Sequence, residues 1–324
     1  MDIFKPFEIL ADFVTYDLLN LTLDSYIAEA VHFFVYDIFK IGFLLVVINY
    51  VMAMTRYYFP IEKLKDMLIK RNWYGLDYLF AAILGLITPF CSCSSIPLFI
   101  GFLQARIPLG VTFAFLIASP LINESSLILF PALFGAKTTI IYNLIGMGVS
   151  IIGGLMIQKL KLEKYVNQDL LKLKTNNSFY NQKSEIPLKK LLVNFWDDGF
   201  SITKTIFPYV VLGVSLGALI HGFVPAKFIE NSLNSNSFFA VPIATLLGIP
   251  LYANSVSVIP IIEAFVNKGI PVGTALAFMT ATVTLSIPEA LILKKVMNWK
   301  LLAIFFGITT IGIMLIGFIL NILI

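Results

Sequence analysis

The chain has 324 residues, of which 58% are apolar and only 13% charged, with 29 Phe, two His and two Cys. An ordinary soluble domain carries roughly 25% charged residues, and at a mean hydropathy of +0.89 no soluble core of this length hides the apolar surface. The sequence is therefore that of an all-α, polytopic integral membrane protein, which excludes soluble enzymes, secreted disulfide scaffolds and nucleic-acid readers.

Residues 1–25 carry Asp2, Glu8, Asp12, Asp17 and Asp24 against one lysine. No basic start precedes an apolar run, so they read as an amphipathic surface segment and not as a cleavable leader. The first span is expected over 29–54, followed by a basic loop, 55–75, with Arg56, Lys63, Lys65, Lys70 and Arg71. Apolar stretches then cover 76–104, 108–135 and 138–158. The longest polar segment, 159–198, holds eight lysines and the run KTNNSFYNQKSE. It is expected as a flexible linker between an N-terminal membrane half, 1–158, and a C-terminal half, 199–324. Apolar stretches resume at 202–224, 237–266, 270–296 and 299–323. Counting hairpins, about eight to ten membrane segments are expected. The two basic loops hold 13 of the 23 Lys and Arg, so the positive-inside rule puts both in the cytoplasm of a multi-pass plasma-membrane protein. The formal net charge of +4 needs no polyanionic partner, because orientation accounts for it.

Shifting the chain by 163 residues lays 85–118 on 248–281 without a gap. Gly85 falls on Gly248, Ser92 on Ser255, Ser94 on Ser257, Pro97 on Pro260, Pro108 on Pro271 and Gly110 on Gly273. Apolar composition does not readily put prolines, glycines and serines in register, so the chain is read as two repeats. The first half begins outside and the second begins from the cytoplasmic linker, so the repeats are expected to be inverted. Transporters with this arrangement bind substrate near the midplane, where broken helices of the two halves meet. Both repeats carry interruptions: Pro89 and Pro97 in the first, Pro250 and Pro260 in the second. Proline removes a backbone donor and clashes with the preceding turn, so 76–104 and 237–266 are expected as broken or re-entrant helical hairpins. Simple kinks in continuous helices are the alternative. Inside a bilayer the freed backbone groups must face protein or water.

Chemistry concentrates at these breaks. Cys91 and Cys93, flanked by Ser92 and Ser94, can converge on a soft Lewis acid, because thiolates select soft centres; small-residue packing is the other reading. Across the repeat stand Asn254 and Ser255, and a second break after Ser119-Pro120 carries Asn123 and Glu124. The asparagines can donate to an oxyanion or hold water. Glu124 and Glu289 lie in apolar sequence, where a carboxylate is costly and is read as proton-coupling; a headgroup position or a helix cap is the alternative. His32 and His221 have no metal-ligand spacing, and no phosphate loop or zinc-protease motif is present.

The runs Thr88-Pro89-Phe90-Cys91-Ser92-Cys93-Ser94-Ser95-Ile96-Pro97, Ser119-Pro120-Leu121-Ile122-Asn123-Glu124 and Pro250-Leu251-Tyr252-Ala253-Asn254-Ser255 resemble the predicted-permease family that includes the organoarsenical efflux permeases and the YraQ-like proteins. The resemblance implies a permease, not an enzyme, and a role for Cys91 and Cys93 in accepting a thiophilic substrate such as a trivalent organoarsenical. No cofactor or resident metal is implied. The partners expected are a small-molecule or metalloid substrate and the lipid bilayer, with no nucleic acid and with a homodimer left open. Two rival readings stand beside secondary-active efflux: a transmembrane subunit powered by a separate ATPase, and a membrane thiol oxidoreductase working through the cysteine pair.

Overall fold

The computed structural model describes residues 5–22, 25–58, 75–87, 92–167, 188–223, 239–251 and 255–324. Among the described residues the elements are helices, apart from one isolated antiparallel bridge between Val166 and Met297. The order is α1 (Lys5–Asp12), a π-helical turn (Phe13–Leu18), α2 (Tyr26–Tyr58), α3 (Leu76–Ile87), α4 (Ser92–Gln104), α5 (Leu109–Leu121), α6 (Glu124–Ile128) and α7 (Phe130–Lys159). A 3-10 turn (Leu162–Tyr165) follows, then α8 (Leu188–Phe223), α9 (Ala240–Gly248), α10 (Ser255–Asn267), α11 (Val272–Thr284), α12 (Ile287–Val296) and α13 (Trp299–Leu323).

Three of these helices are long and apolar enough to cross a bilayer: Tyr26–Val47 within α2, α7 and α13. The number is four if Val272–Thr284 and Glu289–Val296 are taken as one broken span. The fold is thus all-α and membrane-embedded.

The break expected after Ser119-Pro120 is present: α5 ends at Leu121, where Ile122 leaves the helix at φ −123° and ψ 72°, and α7 starts at Phe130 with Pro131 in its first turn, where a missing N–H costs nothing. Gly135, at φ 84° and ψ 157°, is non-helical and divides α7 into two helical stretches at a kink, close to where the apolar stretches 108–135 and 138–158 meet. The segment given to the linker has fixed ends, since 160–167 is held to the α12–α13 junction and α8 already begins at Leu188; its middle, 168–187, lies outside the described residues, as does 59–74 of the first basic loop. A further difference concerns proline: helices α4 and α10 run through Pro97 and Pro260, while 88–91 and 252–254, which precede these helices, lie outside the described residues.

The chain forms two compact units. Unit 1 is Met1–Leu45, Ile206–Pro288 and Ile313–Ile324; unit 2 is Val46–Thr205 and Glu289–Gly312. In unit 2 every residue of α5 is buried, as befits a helix that is apolar all round. It packs on α3, α4 and α7, and Tyr78, Ala81, Phe102, Ile107, Ala114 and Phe115 form a cluster around it. In unit 1, α11 takes the same place against α9 and α10.

The two units repeat one another in detail at the offset of 163. Helices α4 and α5 coincide with α10 and α11 residue for residue. A Cβ built on Gly85 lies 2.8 Å from that of Ala118, and one on Gly248 lies 2.9 Å from that of Ala281. Gly110 abuts Gly154 and Gln158, as Gly273 abuts Gly317 and Asn321. The Phe102–Phe115 ring pair at 5.2 Å recurs as Phe265–Phe278 at 6.0 Å. Pro108 and Pro271 open their helices at ψ 136° in both cases, and Ile107 and Ile270 each donate N–H to the phenylalanine five residues back, at 3.1 Å.

Candidate functional site

The site begins with the segment between α3 and α4. Thr88, Pro89, Phe90 and Cys91 lie outside the described residues, and so do the side chains of Ser92, Cys93, Ser94 and Pro97. The backbone still fixes two things. Cys93 is the second residue of α4, in the opening turn, whose N–H groups have no partner within the helix. Pro97 has no N–H to give the Cys93 carbonyl, its partner four residues back, so that carbonyl lacks its usual place in the helical ladder. Ser95, next in line, is fully buried.

The second repeat has the same backbone with different chemistry. Pro250 is half-buried in the turn after α9, where Leu251 donates N–H to Gly248 at 3.0 Å. Asn254 lies outside the described residues, and Ser255 opens α10 with its side chain, like that of Pro260, also undescribed. Pro260 withholds a hydrogen bond from Val256, the counterpart of Cys93.

The break after α5 is described more fully. Asn123 Oδ1 accepts the N–H of Ser126 at 3.2 Å, so Asn123 caps α6. With its oxygen committed to the cap, the group it has for a ligand is the amide N–H2. Ser126, 1% exposed, donates its hydroxyl hydrogen to Asn143 Oδ1 at 2.8 Å, with the Asn123 carbonyl 2.7 Å away. Asn143 Nδ2 donates to the Thr139 carbonyl at 2.9 Å, and the Tyr142 hydroxyl to the Leu121 carbonyl at 2.7 Å. Asn143 and Tyr142 therefore supply the partners that a broken helix in lipid needs. The sequence reading passed over both. Its missed signal was a lone asparagine inside the apolar stretch 138–158.

Glu124 is the first residue of α6, with its side chain outside the description. Glu289 is the third residue of α12 and is fully buried. Among the described residues no group of three or more His, Cys, Asp or Glu is placed to hold a metal ion. His32 Nε2 lies 3.0 Å from Asp12 Oδ1, tying α2 to the end of α1, and the His221 side chain is undescribed.

Comparison with known proteins gives three findings. A family described as "Predicted permease" matches residues 26–322. UPF0718 protein MJ0584 of Methanocaldococcus jannaschii is 24% identical over 301 residues, covering 76% of this chain and 82% of that protein. UPF0718 protein YcgR of Bacillus subtilis is 33% identical over 79 residues, 24% of this chain and 27% of that one. No solved structure matches.

Proposed function

The chain belongs to the predicted permease family and is a membrane transporter, and from that premise we propose that it is a secondary-active efflux carrier of a small thiophilic solute such as a trivalent organoarsenical. The observation that carries this reading is the way the last helices of the two repeats pack in unit 2. Gly153 of α7 lies against Ile308 of α13, and Val149 against Gly312. As the number falls along one helix it rises along the other, so the two run antiparallel. The Val166–Met297 bridge continues the same pairing beyond the end of α7. Since α7 and α13 are repeat equivalents through Gly154 and Gly317, antiparallel packing supports an inverted pair, the arrangement on which alternating access is built.

In this mechanism Cys91 and Cys93 accept the trivalent arsenic at the first break, with Ser92 and Ser94 beside them. The second break offers Asn254 and Ser255 in the equivalent place. The Asn123 amide stabilises the anionic side of the substrate. Pro89, Pro97, Pro250 and Pro260 keep backbone carbonyls open at both breaks. A proton held by Glu124 or Glu289 and released on the other side couples the movement to the gradient, since a carboxylate at membrane depth is costly unless protonated or paired. The acidic N-terminus then lies outside the plasma membrane, with 55–75 and 159–198 in the cytoplasm.

The test is uptake of a trivalent organoarsenical by everted vesicles, set against inorganic arsenite, with and without a proton gradient. Gradient-dependent uptake that disappears in Cys91→Ser and Cys93→Ser is the expected result. No uptake by folded wild-type protein removes arsenic from the proposal.

A further inference from the structure

Where α7 ends and α13 begins, unit 2 forms a corner from two stretches that lie 128 residues apart at their closest tie, Asn167 Nδ2 to the Lys295 carbonyl at 3.3 Å. Asn167 donates its N–H to the Val296 carbonyl, and Asn298 donates its own to the Tyr165 carbonyl, both at 2.8 Å. Val166 and Met297 are buried and pin the corner from within. The outer face is basic: Lys159, Lys161, Lys164, Lys294, Lys295 and Lys300 are all exposed. The acid interleaved with them, Glu163, accepts a hydrogen bond from Gln158 Nε2 at 3.2 Å.

Membrane orientation explains lysines scattered on a loop. It does not explain their convergence on two aromatic rings. The ammonium groups of Lys164 and Lys300 lie over the same Tyr165 ring, at 5.1 and 5.9 Å, and that of Lys294 lies over Trp299 at 4.7 Å. A ring face attracts a cation without neutralising it, so Tyr165 gathers two positive charges that remain available to an anion. Trp299 is 56% exposed and is the first residue of an apolar span, which sets the corner at the depth of the headgroups, where tryptophan is favoured.

We infer that this corner is a binding surface for anionic phospholipid, its phosphate held between Lys164 and Lys300 above Tyr165, with Trp299 beside it in the headgroup layer. A net-negative headgroup gains from the ammonium cluster, whereas a zwitterionic one brings an ammonium of its own into it. The inference rests on the membrane reading above but not on the cargo.

The experiment is native mass spectrometry of the full chain in detergent, titrated with phosphatidylglycerol, phosphatidylcholine or inorganic phosphate. The wild type should retain phosphatidylglycerol in preference to the other two. Lys164→Gln/Lys300→Gln should lose that preference by roughly fivefold per lysine, and Lys164→Arg/Lys300→Arg should keep it. Lys204→Gln/Lys268→Gln, which removes the same charge from other exposed sites, should leave it intact. Equal retention of the two lipids, an equal loss in the control pair, loss in the arginine variant, or displacement of phosphatidylglycerol by equimolar inorganic phosphate each overturns the inference. None of these readouts involves transport, so arsenical uptake can fail while the lipid site stands, and the reverse.

Discussion

Ser126 and Glu289 occupy the same position in the two repeats, 163 residues apart, and each is at most 1% exposed. Around Ser126 the neutral side chain of Asn143 completes the network; the residue equivalent to Asn143 is Phe306. One break is thus closed by amide and hydroxyl groups, while its copy has a carboxyl group buried at the matching point. Glu289→Gln should keep the fold, because an amide matches a carboxyl group in shape, and should abolish the effect of a proton gradient on uptake. Exchange of labelled for unlabelled substrate without a gradient should persist. Glu124→Gln, assayed beside it, tests the other carboxylate. Gradient-driven uptake surviving in both would remove the carboxylates from coupling.

Gly110 and Gly273 let α5 and α11 come within backbone contact of α7 and α13. A Cβ on Gly110 would lie 2.6 Å from that of Gln158, and one on Gly273 would lie 2.9 Å from the Asn321 nitrogen. Gly110→Ala and Gly273→Ala should each destabilise by about 1–3 kcal/mol, the usual cost of overpacking. Gly148→Ala and Gly307→Ala, on α7 and α13 with nothing within 4 Å, should be neutral or slightly stabilising. Thermal unfolding in detergent separates the two classes, and equal melting of all four would refute the close crossings.

Asn143→Leu should destabilise by roughly 1–3 kcal/mol, because it removes the buried hydrogen bonds of Asn143 with the Ser126 hydroxyl and the Thr139 carbonyl. Tyr142→Phe, which removes one hydrogen bond to the Leu121 carbonyl, should cost about 1 kcal/mol. If the network also positions Asn123, Asn143→Leu should raise the substrate concentration needed for half-maximal uptake more than Tyr142→Phe does. Identical transport curves would confine Asn143 to stability.

Arg106 and Lys268 follow the equivalent helices α4 and α10, and both are exposed. In a cysteine-free variant, Arg106→Cys and Lys268→Cys should react with a membrane-impermeant thiol reagent from opposite faces of oriented vesicles. Labelling from one face would exclude inversion of the repeats.

The membrane class, the break after α5 and the register of 163 could be read from the sequence because each rests on local chemistry. Apolar length, proline and glycine keep their meaning without knowledge of neighbours, and Gly85, Gly110, Gly248 and Gly273 all mark close approaches. The pattern failed where partners are distant. Asn143 is polar within an apolar helix, but only the fold brings it to Ser126. The Tyr165–Asn298 and Asn167–Val296 hydrogen bonds join segments that share no motif. The end of α5, by contrast, was legible, because Asn123, Glu124, Ser125 and Ser126 interrupt the apolar run directly after Pro120. Two assigned roles were not separable by sequence at all. Asn123 proved to be a helix cap, and the helices pass through Pro97 and Pro260, because proline weakens an opening turn without necessarily ending it.

The short helices bear on how the protein is made. Helices α4, α5, α10 and α11 have 13 residues each, which gives about 20 Å of helix against a hydrocarbon core of ~30 Å. Alone in lipid, each would leave backbone termini stranded short of water. The long helix that packs on α5 or α11, α7 in one repeat and α13 in the other, leaves the ribosome after them. During synthesis each repeat therefore waits, with one side of its central short helix uncovered, for its own last segment. The keystone arrives at the end, twice in one chain.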